Sequence, residues 1–201
     1  MSRKLPLTFY RQPDVVATAR ALLGQRLCVR SRAGLVRAVI TETEAYGGAE
    51  DKGCHGYGHR RTARTEPLFA NGGISYVYLC YGLHHLFNVV TGPAGEPMAV
   101  LVRAVRVRSG DPGEAIVARR RRGVPRRAWS NGPGKVGAAL GISTRAHNRL
   151  DLTGDRLWLE TTGQTVPEAE IEVTPRIGID YAAEWAAAPR RFVWREEAGH
   201  R

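Results

Sequence analysis

The run from Leu35 to Tyr46, LVRAVITETEAY, constrains this chain more than any other stretch. Its first half, Leu35 to Ile40, alternates and is β-branched, so it reads as a strand. Its second half presents Glu42, Glu44 and Tyr46 two residues apart. On an extended backbone that spacing puts all three on one face. Gly47 and Gly48 then break the strand. Carboxylates and a ring at the end of a buried strand are costly to place there for packing alone. The remainder of the chain therefore reads as support for this segment.

The flanking elements follow from local pattern. Pro13 and Asp14 open a helix with Val15, Val16, Ala19, Leu22 and Leu23 on one face and Gly24 as its stop. Leu27 to Arg30 is a strand joined to the central one by the turn Arg32-Ala33-Gly34. Further strands are expected at Ile74 to Cys80, Leu86 to Val90 and Val100 to Val107. Helices are expected at Glu114 to Arg122, with cations at its C-terminal end, and from Gly132 through Leu140. Short strands at Leu157 to Glu160, Ile171 to Thr174 and Phe192 to Trp194 close the chain. Glu50 to Gly73 is a long polar loop, and loops of that length in compact domains usually carry function. There is no repeat and no clear linker. Strands cluster without regular βα alternation, so the expected class is α+β with a largely antiparallel sheet. The 201 residues suit one domain, spanning 1–201.

Charge narrows the partner. The formal net charge is +11 and the sequence pI about 10.3, which points to an anionic partner, nucleic acid first. Nearly all the excess is arginine; lysine occurs only at Lys4, Lys52 and Lys135. The run Arg119 to Arg122, with Arg126 and Arg127, reads as a solvated phosphate-contacting surface. Cys28, Cys54 and Cys80 make neither a disulfide framework nor a CxxC knuckle. No apolar stretch approaches a membrane span, and the N-terminus lacks a signal h-region. The expectation is a soluble, cytoplasmic protein, nucleoid-associated in a prokaryote.

Several side chains can carry chemistry. Glu44, beside apolar and aromatic residues, can act as a general base toward water, or can be a strand glutamate in a salt bridge. Tyr76 and Tyr78 share a face, either as half-buried packing or as a stacking platform for bases. Tyr81, at a turn before Gly82, can project as a wedge into a duplex. His55, His59, His84 and His85 suggest a metal at first sight. The adjacent pairs Cys54-His55 and His84-His85 lack helical metal spacing, and no HExxH pattern is present, so no metal is expected. Asn88 and Arg103 sit within apolar runs and must find partners. Arg103 serves either in a structural ion pair or paired to the Glu44 region. Gly132, Gly134 and Lys135 lack Walker spacing but can hold one DNA phosphate at a helix start.

Together these pieces resemble the alkyladenine (3-methyladenine, methylpurine) DNA glycosylase family. The resemblance covers about Leu7 to Trp194. It rests on ARALLGQRL after Pro13, TETEAYGG with Glu50-Asp51 and His55, RRTARTEPLF, YVYLCYGLHHLFNVV, VLVRA, SNGPGKVGAALGI, RIGID and EWAAAPRRFV, in that order. It implies a single domain on a curved antiparallel sheet with flanking helices and no cofactor. It implies Glu44 as the base that deprotonates the water attacking C1′, with Arg103 positioning that water. Tyr46, His55, Tyr78, Asn88 and Leu101 would line the base pocket, with Asn88 excluding guanine, and Tyr81 would intercalate. Arg60, Arg64 and Lys135 are the expected phosphate contacts. The implied partner is double-stranded DNA with damaged purines, bound by a monomer.

The implied reaction is hydrolysis of the N-glycosidic bond of flipped 3-methyladenine or 7-methylguanine, leaving an abasic site. The only lysine near the motif is Lys52, so no Schiff-base lyase step is expected. The stretch Gly56 to Arg64, GYGHRRTAR, departs from the commoner family forms, which leaves hypoxanthine and ethenoadenine open as substrates. The competing classes are a non-catalytic basic nucleic-acid-binding module and a metal-dependent hydrolase or deaminase.

Overall fold

The computed structural model describes residues 3–195. Among these, nine strands form a single curved antiparallel sheet: β1 (Arg3–Lys4), β2 (Arg26–Ser31), β3 (Gly34–Gly47), β4 (Ser75–Cys80), β5 (His84–Val90), β6 (Met98–Arg106), β7 (Leu157–Thr161), β8 (Ile171–Thr174) and β9 (Arg191–Trp194). The main path runs β1-β7-β2-β3-β6-β5-β4, with β9 added to β3 and β8 to β9. The α+β class expected from the sequence holds.

β3 is the hub. It pairs with β2 from Gly34 to Val39; β9 takes over that edge from Glu42 to Glu44, and β6 lies along the other edge. Two opposed bulges interrupt the β3–β6 ladder. Ile40 faces Val105 and Glu42 faces Ala104, which leaves Thr41 extra; Thr43 then faces Val102, which leaves Arg103 extra. Each strand gains one residue. The offset between the strands is restored, while the side-chain phase of both reverses.

The reversal decides where the carboxylates go. Val36, Ala38 and Ile40 point into the main core, and beyond the bulge Ala45 does so instead, with Thr43 donating its hydroxyl to the Ala19 carbonyl on the same side. On β6 the core residues are Val100 and Val102, then Val105 and Val107. Strict alternation from Ile40 would have driven Glu42, Glu44 and Tyr46 into that apolar core. The paired bulge sends them, with Leu101 and Arg103, to the opposite face.

Short helices cover the core side: α1 (Leu7–Tyr10), α2 (Val15–Ala21), α3 (Glu114–Arg120), α4 (Pro133–Leu140) and α5 (Thr144–His147). Asp14 caps α2, its carboxylate accepting from the Val16 and Ala17 amides at 2.8 and 3.0 Å, a contact worth about 1 kcal/mol. α4 lies so close to β5 that a Cβ at Gly137 would collide with the His85 carbonyl. β1, α1 and α5 are too short to show a period, and pattern reading does not find them. The 50–73 segment is more ordered than a polar loop. It makes two 3-10 turns, Tyr57–His59 and Glu66–Phe69, and Leu68 and Phe69 bury against Tyr76, Val90 and Ala99 in a second core.

Candidate active site

Four residues stand directly opposite one another across four strands. Glu44 faces Leu101, Leu101 faces Asn88, and Asn88 faces Tyr76. With strands about 4.8 Å apart this row spans roughly 14 Å. It starts at a carboxylate, crosses a buried leucine and amide, and ends at an aromatic ring.

Glu44 is fully buried. Its Oε2 accepts from the Tyr46 hydroxyl at 2.8 Å and from Arg103 Nη1 at 3.1 Å, while Oε1 accepts from the Ile177 amide at 2.8 Å. All three neighbours are donors, the complement of an anionic carboxylate. Burial pushes the Tyr46 phenol up, and the adjacent Glu44 charge adds to it, so Tyr46 stays neutral and donates. Desolvation opposes charge on Arg103, but the Glu44 and Glu42 carboxylates more than offset it and its pKa is raised. Glu42 is also accounted for: its Oε1 accepts from Arg103 Nε at 2.8 Å and Arg191 Nε at 2.6 Å. Both sequence alternatives for Arg103, ion pair and partner of Glu44, describe the same guanidinium.

The other end of the row is aromatic. The His55 and Tyr78 rings lie 4.7 Å apart at 67°, and Tyr76 and Tyr78 5.3 Å apart at 33°. His55 Nδ1 meets the Tyr76 hydroxyl at 3.0 Å. Burial pushes the His55 imidazole down to about 4, helped by the Arg64 charge, so the ring is neutral at pH 7. Burial likewise pushes Tyr76 up to about 12. Asn88 is buried and donates from Nδ2 to the Tyr76 carbonyl at 3.1 Å. The structure thus brings Glu44, Tyr46, His55, Tyr78, Asn88, Leu101 and Arg103 onto one face. Tyr76 is buried in the second core, the packing role that strand tyrosines usually take, and its hydroxyl reaches His55.

The remaining expected residues lie outside this row. Tyr81 sits at the tip of the β4–β5 hairpin, 92% exposed, with φ +51°. A non-glycine residue there carries backbone strain of about 1–3 kcal/mol. Leu79 and Leu83 flank it, also exposed. The Arg64 guanidinium lies 5.0 Å over the Tyr78 ring. Arg60 lines an open cavity with Lys52, Cys54, His55, Tyr57 and Tyr181. Lys135 is exposed at the start of α4 and reaches Asn131 at 2.9 Å. The arginine run needs revision. Arg120 is spent on the Ala139 carbonyl and Ser31, and Arg126 on Glu114 and the Val107 carbonyl, so these two tie α3 and its C-terminal flank to the body of the protein. Among the described residues no group of three His, Cys, Asp or Glu side chains is placed to hold a metal. None of the described helices is long and apolar enough to cross a membrane.

Sequence reasoning missed a buried ion pair behind the site. Asp51 and Arg176 are both fully buried in their side chains and meet in bidentate fashion at 2.6 and 2.8 Å. Arg176 also lies 4.6 Å over the Tyr46 ring. Signals existed: both residues fall inside the stretches that carry the family resemblance, and Arg176 is a lone charge in VTPRIGI.

Comparison with known proteins agrees with this geometry. A model of the methylpurine-DNA glycosylase family matches residues 8–198. A protein of Myxococcus xanthus, provisionally named a 3-methyladenine DNA glycosylase, is 44% identical over 98% of this chain and 92% of its own length. Proteins of the same name from Chlamydia felis and Bacillus licheniformis are each 42% identical, over 94% of this chain and 95% and 91% of their own lengths. The chain belongs to the methylpurine-DNA glycosylase family and is a DNA glycosylase, a hydrolase.

Proposed function

We propose that the protein excises 3-methyladenine and 7-methylguanine from duplex DNA by monofunctional hydrolysis, after flipping the base into the row between Glu44 and Tyr76. The observation that carries this reading is the buried Glu44 carboxylate, accepting from three donors on a face shared with an aromatic wall. In the proposed reaction water attacks C1′, Glu44 takes its proton, the C1′–N bond breaks and the purine leaves with the bonding pair. A purine alkylated at N3 or N7 is already cationic and departs neutral, so no second carboxylic acid is needed. Glu42, committed to Arg103 and Arg191, is left a supporting role. The anionic base also stabilises the oxocarbenium-like sugar.

The aromatic wall suits a cationic base through cation–π attraction of about 0.5–2 kcal/mol per contact. A neutral His55 adds no repulsion to it. Damaged bases stack and pair less well, so flipping them costs less. Tyr81, exposed at a hairpin tip, is the proposed wedge, and Arg60, Arg64 and Lys135 the proposed phosphate contacts. Asn88 is proposed to help exclude undamaged guanine, whose 2-amino group clashes with it; in 7-methylguanine the positive charge eases departure and offsets that clash. Lys52 is ion-paired with Glu184 at 3.0 Å, which speaks against a free amine nucleophile. We take the protein to act as a cytoplasmic monomer, without metal. A binding module has no use for a carboxylate aimed at a phosphate-rich ligand, which would repel it.

The test is base release from duplexes carrying single lesions, with and without chelator. Release of alkylated purines, unaffected by chelation, supports the reading. Tight DNA binding with no release would establish the binding module instead. Inclusion of hypoxanthine and ethenoadenine sets the range, to which the atypical 56–64 stretch contributes through Arg60 and Arg64.

A further inference from the structure

We propose that Arg176, clamped by Asp51, is the positioning residue for the Glu44 carboxylate. The inference rests on the reading of Glu44 as the base, and adds a second tier behind it.

Arg176 Nη1 donates to Asp51 Oδ2 at 2.6 Å and to the Ala45 carbonyl at 2.9 Å; Nη2 donates to Asp51 Oδ1 at 2.8 Å. The guanidinium is thus fixed in plane by the carboxylate and tied to the backbone of the residue between Glu44 and Tyr46. The guanidinium carbon lies over the Tyr46 ring, 4.6 Å from the centroid. The next residue, Ile177, supplies the amide that binds Glu44 Oε1. One anchored residue therefore sets two of the three donors on Glu44: the Tyr46 hydroxyl through the ring it covers, and the Ile177 amide through the chain it holds. Asp51 is itself fixed by the amides of Gly47, at the end of β3, and Gly53. The Gly47-Gly48 turn thereby becomes the link between the catalytic strand and the 176–177 segment.

A buried ion pair of this kind is poorly explained as a stability device, because well-packed apolar residues usually do as well. An apolar pair here would fix neither the rotation of Tyr46 nor the placement of Ile177. Lysine at 176 would keep the charge but not the planar fork or the stacked face. Arg190 provides an internal control. It reaches Asp51 Oδ2 at 3.5 Å and lies over Trp185, and among the described residues no hydrogen bond or ion pair joins its side chain to Glu44 or Tyr46.

The experiment measures single-turnover release of 7-methylguanine from duplex DNA, as a saturating rate and a half-saturating protein concentration, for the full chain and its variants. Arg176→Lys is expected to lower the saturating rate by about 100-fold, the scale of a misplacement near 1 Å, with half-saturation little changed. Asp51→Asn should act in the same direction. Arg190→Gln should lower the melting temperature while keeping the saturating rate. Ile177→Pro removes the amide donor at an exposed position, its ring also fixing φ there and restricting the backbone of Arg176, and should slow the saturating rate through the 176–177 segment even where Arg176→Lys folds poorly. A wild-type saturating rate in folded Arg176→Lys or in Ile177→Pro overturns the proposal. So does a loss in Arg176→Lys matched by Arg190→Gln at equal destabilisation. Glu44→Gln run alongside separates the two claims: if it still turns over, the base assignment itself fails; if it is inactive while Arg176→Lys is not, only the positioning role fails.

Discussion

Lowering the pH from 7.5 to 4.5 should reveal His55 as a stored cost in the fold. The imidazole is held down at about 4 against an ordinary value of 6.5. The cause is burial between Tyr76 and Tyr78, with the Arg64 charge adding to it. The unfolded chain takes up this proton below 6.5, whereas the folded chain resists until about 4. Between those limits the unfolded state binds more protons, so stability falls as pH falls and is level above the window. A gap of about 2.5 units at about 1.36 kcal/mol each is roughly 3 kcal/mol, of which about 2.5 kcal/mol is lost by pH 4.5. Urea unfolding of the wild type and of His55→Asn at both pH values isolates the effect. His147 is also depressed by burial, and carboxylates titrate in the same range, but both proteins share them. The wild type should lose about 2.5 kcal/mol more than the variant. Equal losses would refute the picture of a neutral, desolvated histidine in the wall, and with it the argument that the wall accepts a cationic purine without repulsion.

Other expected outcomes are simpler to read. Tyr81→Ser should weaken binding to lesion duplexes by about 1–3 kcal/mol while leaving affinity for free base unchanged, as judged by fluorescence anisotropy and competition; equal loss for both ligands would place Tyr81 in the pocket instead. Borohydride added during turnover should trap no covalent DNA adduct, and Lys52→Gln should release base at the wild-type rate, because the Lys52 ammonium is occupied by Glu184. A trapped adduct that vanishes in Lys52→Gln would mean a lyase.

Every strand but β1, and their order of appearance, is legible because apolar period and glycine stops are local signals. Ile171–Thr174 is found at its predicted bounds, and Gly141 ends α4 with a left-handed φ of 70°. The two-residue spacing of Glu42, Glu44 and Tyr46 correctly gathers them on one face. What the spacing cannot tell is which face. That choice depends on the opposed bulges at Thr41 and Arg103, features of the pairing between two strands some sixty residues apart. Likewise, Arg103 announced itself as a charge in an apolar run, and its partner was guessable. Arg176 gave the same signal in VTPRIGI, but its partner Asp51 lies 125 residues away in a loop, and only the tertiary structure joins them. Arg120 misled in the opposite direction. A run of four arginines suggests a solvated face, yet helical geometry turns one of them inward onto the Ala139 carbonyl.

The proposed chemistry turns on Glu44 as the base that deprotonates the attacking water. Its most direct test is Glu44→Gln, which keeps the shape and removes the base, assayed for single-turnover 7-methylguanine release together with duplex binding. The rate should fall by at least about 10²–10⁴-fold, with DNA affinity equal or higher. Release at the wild-type rate from a folded, DNA-bound Glu44→Gln protein would contradict it.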